Sequence, residues 1–223
     1  MVTGTVLALT LRPARTLPPA RAARVRAAAG AGLDGDLHAD PHSPRQLLLA
    51  GAAVYEDLAL PAHALGENLL LDLDTAQLVS GTILAVGHEV RLRLMFQCEA
   101  CGQLDVQRPG LARAVGARRG VLARVVTGGM IHVGDPVHDL GRLAPPWSDD
   151  WRERIRHVLD AVPAGAVVEY RQLARLAGIQ SSYCRAFPRM LAQLGPSCER
   201  KAVPARSTSP APRWQGERLF DEA

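Results

Sequence analysis

The sequence predicts an α+β protein of two domains: a mainly β domain, a barrel or a sandwich, over residues 1–140 and a helical winged helix-turn-helix domain over residues 148–223. Three observations support this. Short β-prone runs punctuated by glycine fill the first part of the 223-residue chain, which favours a barrel or a sandwich. Glycine and proline residues then indicate a linker over 141–147. Beyond it, apolar residues recur at helical spacing.

The strands of the first domain follow from hydrophobic periodicity. The clearest is Glu89–Phe96, where Val, Leu and Phe alternate with Glu, Arg and Met at period two, so we expect one buried face and one wet face. The runs Gly81–Gly87 and Val121–Thr127 predict neighbouring strands, and Val2–Leu9 predicts the first strand. Residues 19–29 are ambiguous, because Ala and Arg favour a helix whereas the glycines that follow impose turns.

The second domain shows helix signals in order. Asp150 followed by Glu153 is typical of a helix start, because an N-cap carboxylate accepts a hydrogen bond from the first turn. An extended stretch over Val167–Tyr170, a short helix, a turn at Gly178 and a further helix from Ser181 onward complete the outline. This order is that of a winged helix-turn-helix.

Composition favours a folded protein of the cytoplasm. Apolar residues make up 48% of the chain and charged residues 22%, which is typical of a globular rather than a disordered protein. No apolar run approaches the roughly 20 residues that span a bilayer, and the N-terminus does not resemble a secretory signal. We therefore expect no membrane partner and reduced cysteines. The net charge of +4 permits anion binding without requiring it.

Cys98 and Cys101 form a Cys-x-x-Cys pair directly after the clearest strand. The spacing is compatible with half of a zinc site, with a redox dithiol, or with one reactive thiol beside a second cysteine that takes no part in the chemistry. A structural zinc site needs four ligands, and Cys184 and Cys198 lie far away in the helical part. A thioredoxin-like dithiol would begin a helix in a βαβ context, which this sequence does not predict. A buried, inert Cys101 also stays open, because free cysteine often packs in cores.

An ordered series of short motifs in residues 1–140 resembles the MOSC domain, the β-barrel named after the C-terminal region of molybdenum-cofactor sulfurase. The motifs are Gly35-Asp36-Leu37-His38, Arg45-Gln46, Gly66-Glu67-Asn68-Leu69, Ser80-Gly81, Val86-Gly87, Cys98-Glu99-Ala100-Cys101-Gly102 and Gly128-Gly129-x-x-x-x-Gly134-Asp135. The resemblance implies a single cysteine that carries sulfur or ligates molybdenum, and Cys101 matches its position best.

The same resemblance implies the molybdenum cofactor (molybdopterin) as ligand, with a cofactor or sulfur donor protein as partner. Cys101 is then both the catalytic thiol and the metal ligand, since a thiolate is a soft ligand. Nearby arginines would add positive potential and a bidentate grip on the pterin phosphate. The residues that we assign to cofactor binding are Asp36, His38, Arg45, Asn68, Arg108, Arg118 and Arg119. A solvated basic loop, a turn-forming Asp36 and a surface His38 are the alternatives.

Residues 148–223 resemble the DNA-binding domain of alkylguanine-DNA alkyltransferases and alkyltransferase-like proteins. The resemblance is carried by Ile155, Val158-Leu159, Val162-Pro163-Ala164-Gly165-Ala166-Val167-Val168-Glu169-Tyr170, Gln172-Leu173-Ala174, Ala177-Gly178 and Arg185-Ala186. It implies binding of double-stranded DNA through Tyr170, Gln172 and Arg185. Tyr170 would contact the phosphate backbone near a flipped nucleotide, and Arg185 would fill the gap that the nucleotide leaves. The alternatives are a tyrosine at the core edge and a solvated arginine.

This domain departs from the alkyltransferase pattern at the reactive site. The Pro-Cys-His-Arg signature is absent. Val203-Pro204-Ala205-Arg206 is the best equivalent, with Ala205 at the acceptor position, and Cys198-Glu199-Arg200 is an alternative register that lacks the histidine. No base lies beside a nucleophile, so we do not expect an active alkyltransferase. Pro188 falls inside the expected recognition helix, where it would cause a kink. The small excess of basic over acidic residues supports DNA binding only weakly.

Two functional hypotheses of different classes follow. In the first, the barrel handles molybdenum cofactor or sulfur through Cys101 as a cofactor-dependent or sulfur-transfer enzyme. In the second, the protein is a non-enzymatic sensor of alkylated guanine in DNA, and the barrel merely holds a ligand. Cofactor retention after purification discriminates between them. A molybdenum-dependent reduction of amino-hydroxylated compounds, which some MOSC proteins perform, would need an electron donor that this sequence does not contain.

Overall fold

The computed structural model describes residues 3–221, so Val2, which we expected in the first strand, lies outside the described residues. The chain divides into two compact units. The first contains the chain as far as Trp147 except His42–Pro44, and the second contains His42–Pro44 together with the chain from Ser148 onward. Among residues 3–221, no helix combines the length and the apolar character needed to cross a membrane.

Seven strands of the first unit close into a barrel. In chain order the strands of this unit are β1 (Thr3–Leu11), β2 (Ala20–Ala22), β3 (Arg24–Ala28), β4 (Gly32–Leu33), β5 (Leu47–Gly51), β6 (Leu69–Leu71), β7 (Thr82–Val86), β8 (Val90–Gln97), β9 (Val121–Thr127), β10 (Gly129–His132) and β11 (Pro136–Arg142). The order around the barrel is β11-β7-β8-β9-β5-β6-β1, and pairing of β1 with β11 closes it. Of these pairs, only β5 with β6 is parallel. β2 pairs with the end of β1, and β10, β3 and β4 form a separate sheet.

Short helices decorate the barrel: α1 (Ala53–Asp57), α2 (Gly102–Gln107) and α3 (Leu111–Val115), with 3-10 turns at Thr75–Gln77 and Gly116–Arg119. The segment from Cys98 to Gly120 therefore leaves the barrel at the end of β8 and returns to it at β9. Its apolar residues pack in one cluster, which contains Val54 and Leu65 from the preceding segment together with Leu104, Leu111 and Val115. This packing fixes the position of the segment that carries both cysteines.

The barrel interior is filled by aliphatic side chains. Val6, Leu49, Leu71, Leu92 and Val125 are each at most 1% exposed, and they belong to one continuous cluster. Complete burial of such a side chain contributes about 1.5–3 kcal/mol. The interior of the barrel is thus a packed core.

Three details differ from the expectations for this part of the chain. At its centre β8 has no solvent-exposed face, because Arg93 is 2% exposed and Met95 is fully buried. The reason is that the chain after β11 covers this face, where the Arg93 guanidinium donates to the Pro145 carbonyl at 2.8 Å. Residues 141–147, expected as a linker, accordingly belong to the first unit. The ambiguous residues 19–29 form strands, since β3 pairs along its length with β10.

The second unit is mainly helical. It contains α4 (Trp151–Ala161), β12 (Val168–Glu169), α5 (Tyr170–Leu176), a 3-10 helix at Ser181–Ala186, α6 (Phe187–Leu194), α7 (Pro196–Lys201) and β13 (Ala202–Val203), and β12 pairs in parallel with β13. Asp150 caps α4 as expected, accepting from the Arg152 amide at 2.8 Å. The winged helix-turn-helix arrangement stays a prediction.

Pro188 does not kink a helix, contrary to our expectation. It occupies the first turn of α6, and a 3-10 helix rather than an α-helix precedes it. A proline is tolerated in the first turn because its missing N–H would have no partner within the helix there. The chain thus divides the expected recognition helix into two shorter elements.

Candidate functional site

The first unit contains a cavity of about 170 Å³. Its wall is formed mainly by the end of β1, the start of β5, the loop before β6, the end of β8, and α2 with the turn before β9. The lining residues are Arg12, His38, Arg45, Leu47, Leu48, His63, Ala64, Leu65, Gly66, Asn68, Cys98, Gln103, Leu104, Gln107, Arg119 and Leu122. Within the part of the chain that the structure describes, no carboxylate is among these lining residues. With three arginines and two histidines in its wall, the cavity suits an anion.

A buried carboxylate organises one side of this cavity. Asp36 accepts the backbone N–H groups of Arg12 and His38, both at 2.8 Å, and the Asn68 side-chain amide at 2.9 Å. Burial raises the pKa of Asp36, but hydrogen bonds from His38 and from the Arg12 backbone outweigh it and leave that pKa below its ordinary value. Asp36 therefore holds three lining residues in place, and it lines a smaller neighbouring cavity itself.

Asn68 has a structural role as well as a place in the wall. Its side-chain oxygen accepts the Leu48 backbone N–H at 3.0 Å, and its amide nitrogen donates to the Thr10 carbonyl at 3.2 Å in addition to Asp36. A buried amide satisfied on both sides in this way ties strand ends together. It leaves little capacity for a direct bond from Asn68 to a ligand.

Cys101 is half-buried at the N-cap of α2. It is not one of the residues that line the cavity, but it contacts Arg119, which is. The Arg119 guanidinium donates to its Sγ atom at 3.1 Å. Burial raises the pKa of the thiol, but the Gln103 backbone hydrogen bond, the hydrogen bond and charge of Arg119 and the charge of Arg45 together lower it below that of an ordinary cysteine. A thiol that is half-exposed and ionises readily is the reactive kind.

Cys98 is placed differently from Cys101. It is 5% exposed, lines the cavity, and its Sγ atom lies 4.0 Å from Arg45 Nη2. All four cysteines are free thiols. Within residues 3–221, no group of three or more His, Cys, Asp or Glu side chains is arranged to hold a metal ion, so these side chains by themselves do not form a zinc site.

Two lining residues, Arg12 and His63, were not identified from the sequence. His63 has a backbone φ of 63°, a conformation uncommon for residues other than glycine that marks strained, often functional positions. Its Nδ1 lies 2.7 Å from Thr10 Oγ1 and 3.4 Å from the buried Glu67 carboxylate, which also accepts the Tyr55 hydroxyl. The one available signal was the position of His63 three residues before the Gly66-Glu67-Asn68 motif.

The predicted cofactor residues separate into two groups. His38, Arg45, Asn68 and Arg119 meet at the cavity wall, with Asp36 directly behind. Arg108 and Arg118 do not line the cavity: the guanidinium of the first donates to the Leu58 carbonyl at 3.0 Å, and that of the second to Asp57 at 2.6 Å. The guanidinium groups of Arg108 and Arg118 therefore bind α1 or the residue that follows it.

The three predicted DNA-contacting residues also differ from one another. Arg185 is exposed on its 3-10 helix. Tyr170 is half-buried at the start of α5, and its ring packs edge-on against Phe187 with centroids 5.5 Å apart. Gln172 is buried and donates to the Gln215 carbonyl, so its amide stabilises the interior of the unit instead of facing DNA.

Comparisons with known proteins place this geometry in context. The family model for the MOSC domain matches residues 43–138. The YuaD protein from Bacillus subtilis resembles the chain with a TM-score of 0.52 at 18% identity, over 61% of this chain and 94% of that one. YiiM from Geobacillus stearothermophilus does so with a TM-score of 0.51 at 19% identity, over 84% and 99%, and YiiM from Escherichia coli with 0.50 at 16% identity, over 89% and 99%. No curated protein matches the sequence. At these identities the similarity shows the fold.

Proposed function

We propose, on the premise that residues 43–138 are a MOSC domain, that Cys101 is its reactive thiol and carries sulfur or ligates the molybdenum of an anionic cofactor. The observation that carries the proposal is the 3.1 Å hydrogen bond from Arg119 to Cys101 Sγ, made by a residue that also lines the cationic cavity. The Arg119 guanidinium thus stabilises the Cys101 thiolate, and Arg119 also lines the cavity in which a ligand would bind. Cys98 is buried in the cavity wall, so it lacks the solvent exposure that a thiol needs to exchange sulfur with another molecule.

The residues present fit a molybdenum cofactor in part. Arg12 and Arg45 suit its phosphate, the Cys101 thiolate is a soft donor for its metal, and the buried Nε atom of Arg119 has no hydrogen-bond partner within residues 3–221. The cofactor would supply two-electron redox chemistry when bound. At about 170 Å³, the cavity is smaller than typical small-molecule sites of roughly 300–1,000 Å³, so it would take one end of a pterin cofactor.

Separate replacement of the thiols tests this assignment. If the purified protein carries molybdenum, C101S is expected to lose nearly all of it, as measured by mass spectrometry of the metal. If the protein carries sulfane sulfur instead, C101S is expected to lose nearly all of that, as measured by cyanolysis. C98S is expected to keep most of both. C184S is the matched control, because Cys184 is half-buried like Cys101 but lies in the second unit. Unchanged metal and sulfur in C101S would refute the role of this thiol.

We propose as a second function that residues 148–223 bind double-stranded DNA and recognise alkylated guanine without reacting with it. The supporting observation is local charge: the stretch from Tyr170 to Cys198 contains four arginines and no acidic residue. These arginines, at positions 171, 175, 185 and 189, are all exposed, and they lie on α5, the 3-10 helix and α6, which adjoin one another. Clustered charge of this kind favours phosphate contacts even where the net charge is small.

Titration of labelled duplexes with and without O6-methylguanine at low salt tests this second proposal. Arg185→Ala is expected to weaken binding by roughly tenfold, the loss of about 1–2 kcal/mol that one charged contact supplies. Arg156→Ala is the control, since Arg156 is equally exposed but lies on α4. Binding should fall as salt rises. Failure to bind either duplex would contradict the proposal.

A further inference from the structure

We infer that the cavity admits a small sulfur oxyanion of the thiosulfate class, from which Cys101 takes the outer sulfur as a persulfide. This inference rests on the proposed function, because it names the donor for sulfur that Cys101 would carry. It is carried by three features of the site: the charge of the cavity wall, the size of the cavity, and the Cys101 thiol that is hydrogen-bonded to Arg119 of that wall.

The charge of the wall matches a dianion. Arg12, Arg45 and Arg119 all line the cavity, and the buried Nε–H of Arg119 has no acceptor within residues 3–221. An oxyanion in the cavity would accept charge-assisted hydrogen bonds from these guanidinium groups. The described lining contains no carboxylate that would repel such a ligand.

The size of the cavity selects a small donor. Its volume of about 170 Å³ lies below that of typical small-molecule sites, whereas an inorganic anion of a few heavy atoms is compact enough to enter. The backbone on one side is fixed by the hydrogen bonds that Asp36 accepts from Arg12 and His38. The wall is therefore preformed, and an anion would bind without ordering a loop.

The chemistry balances without a further reactant. The Cys101 thiolate attacks the outer, sulfane sulfur of thiosulfate, and a new S–S bond forms on Sγ. The bond between the two sulfurs of thiosulfate breaks, and its electron pair leaves with sulfite. Arg119, which donates to Sγ at 3.1 Å, and Arg45, which lies 4.0 Å from the Cys98 thiol, place positive charge where the sulfite dianion forms.

The full-length protein is tested with thiosulfate labelled at its outer sulfur. Wild type is expected to gain the mass of one sulfur atom, to retain the label and to release an equal amount of sulfite. C101S is expected to lose both readouts, whereas C184S keeps them. R12Q is expected to raise the half-saturating thiosulfate concentration by roughly tenfold, the value of one charged hydrogen bond. It should affect far less the loading from cysteine persulfide, whose outer sulfur moves to Cys101 as cysteine thiolate leaves.

The outcomes separate this inference from the proposed function. If cysteine persulfide loads Cys101 but thiosulfate releases no sulfite, the thiosulfate inference is overturned and the reactive thiol stands. If neither donor loads Cys101 and the protein binds no molybdenum, both are overturned. Equal sulfite release by wild type and C101S would also overturn the inference, because the sulfur would then be taken by another group.

Discussion

Asp36→Ala is expected to lower the free energy of unfolding by about 3–5 kcal/mol, because three buried donors lose their acceptor and each unsatisfied donor costs about 1–3 kcal/mol. Its carboxylate accepts from the Arg12 backbone, the His38 backbone and the Asn68 amide, and the substitution strands all three donors. Chemical denaturation followed by circular dichroism measures the change. The same variant should also bind anions more weakly, because Arg12, His38 and Asn68 line the cavity.

The control for this prediction is Asp34→Ala. Asp34 faces Arg26 at 3.9 Å, and both side chains are more than half exposed, so we expect the free energy of unfolding to change by less than about 0.5 kcal/mol.

The stabilisation by Asp36 also depends on pH. Because its folded-state pKa lies below the ordinary value, its contribution is present above pH ~4 and is lost as the pH falls through the folded-state pKa. A gap between wild type and D36A that widened in acid would contradict this assignment.

Arg119→Gln is expected to slow alkylation of Cys101 at pH 7 by roughly three- to tenfold, the equivalent of losing one charged hydrogen bond of about 1.5 kcal/mol at a half-exposed site. The guanidinium favours the thiolate, so its removal raises the pKa of Cys101. The rate of iodoacetamide reaction as a function of pH measures this, in a variant whose other cysteines are replaced by serine. The reactive limb of the profile should move to higher pH.

Arg118→Gln is the matched control for Arg119→Gln. The two arginines are neighbours on the same 3-10 turn, but the guanidinium of Arg118 pairs with Asp57 at 2.6 Å and does not line the cavity. Its replacement should leave the pH profile of Cys101 in place. Equal slowing in both variants would show that general positive potential, and not the Arg119 hydrogen bond, activates the thiol.

Periodicity in the sequence predicts the strands well but not which faces they bury. The alternation in Glu89–Phe96 correctly indicates β8, yet Arg93 and Met95 are buried, and Arg93 donates to the carbonyl of Pro145, about fifty residues later in the chain. Residues 19–29 are a stronger example. Their composition favours a helix, and the pairing that makes β3 a strand comes from β10, about a hundred residues later in the chain. Such non-local contacts override local propensity.

The candidate site shows the same limit. The motifs predict His38, Arg45 and Asn68, and proximity to Cys101 in the sequence predicts Arg119; these four residues meet at the cavity. Arg108 and Arg118 were assigned because they follow Cys101 closely in sequence, but the short helices turn their side chains toward α1. Arg12 and His63 were missed because only closure of the barrel brings their segments beside Cys98. Proximity along the chain is a poor guide where successive helical turns reverse its direction.

The pairing of β1 with β11 sets the order in which the first unit can form during synthesis. Thr3–Thr5 find their partners only at Pro136–His138, so the ribosome must deliver almost the entire unit before the barrel closes. Until then β1 and β7 each present an open edge able to pair with another chain. Contacts this distant in sequence slow folding and prolong exposure to aggregation. Expression at reduced temperature or with chaperones should therefore favour recovery of the closed barrel.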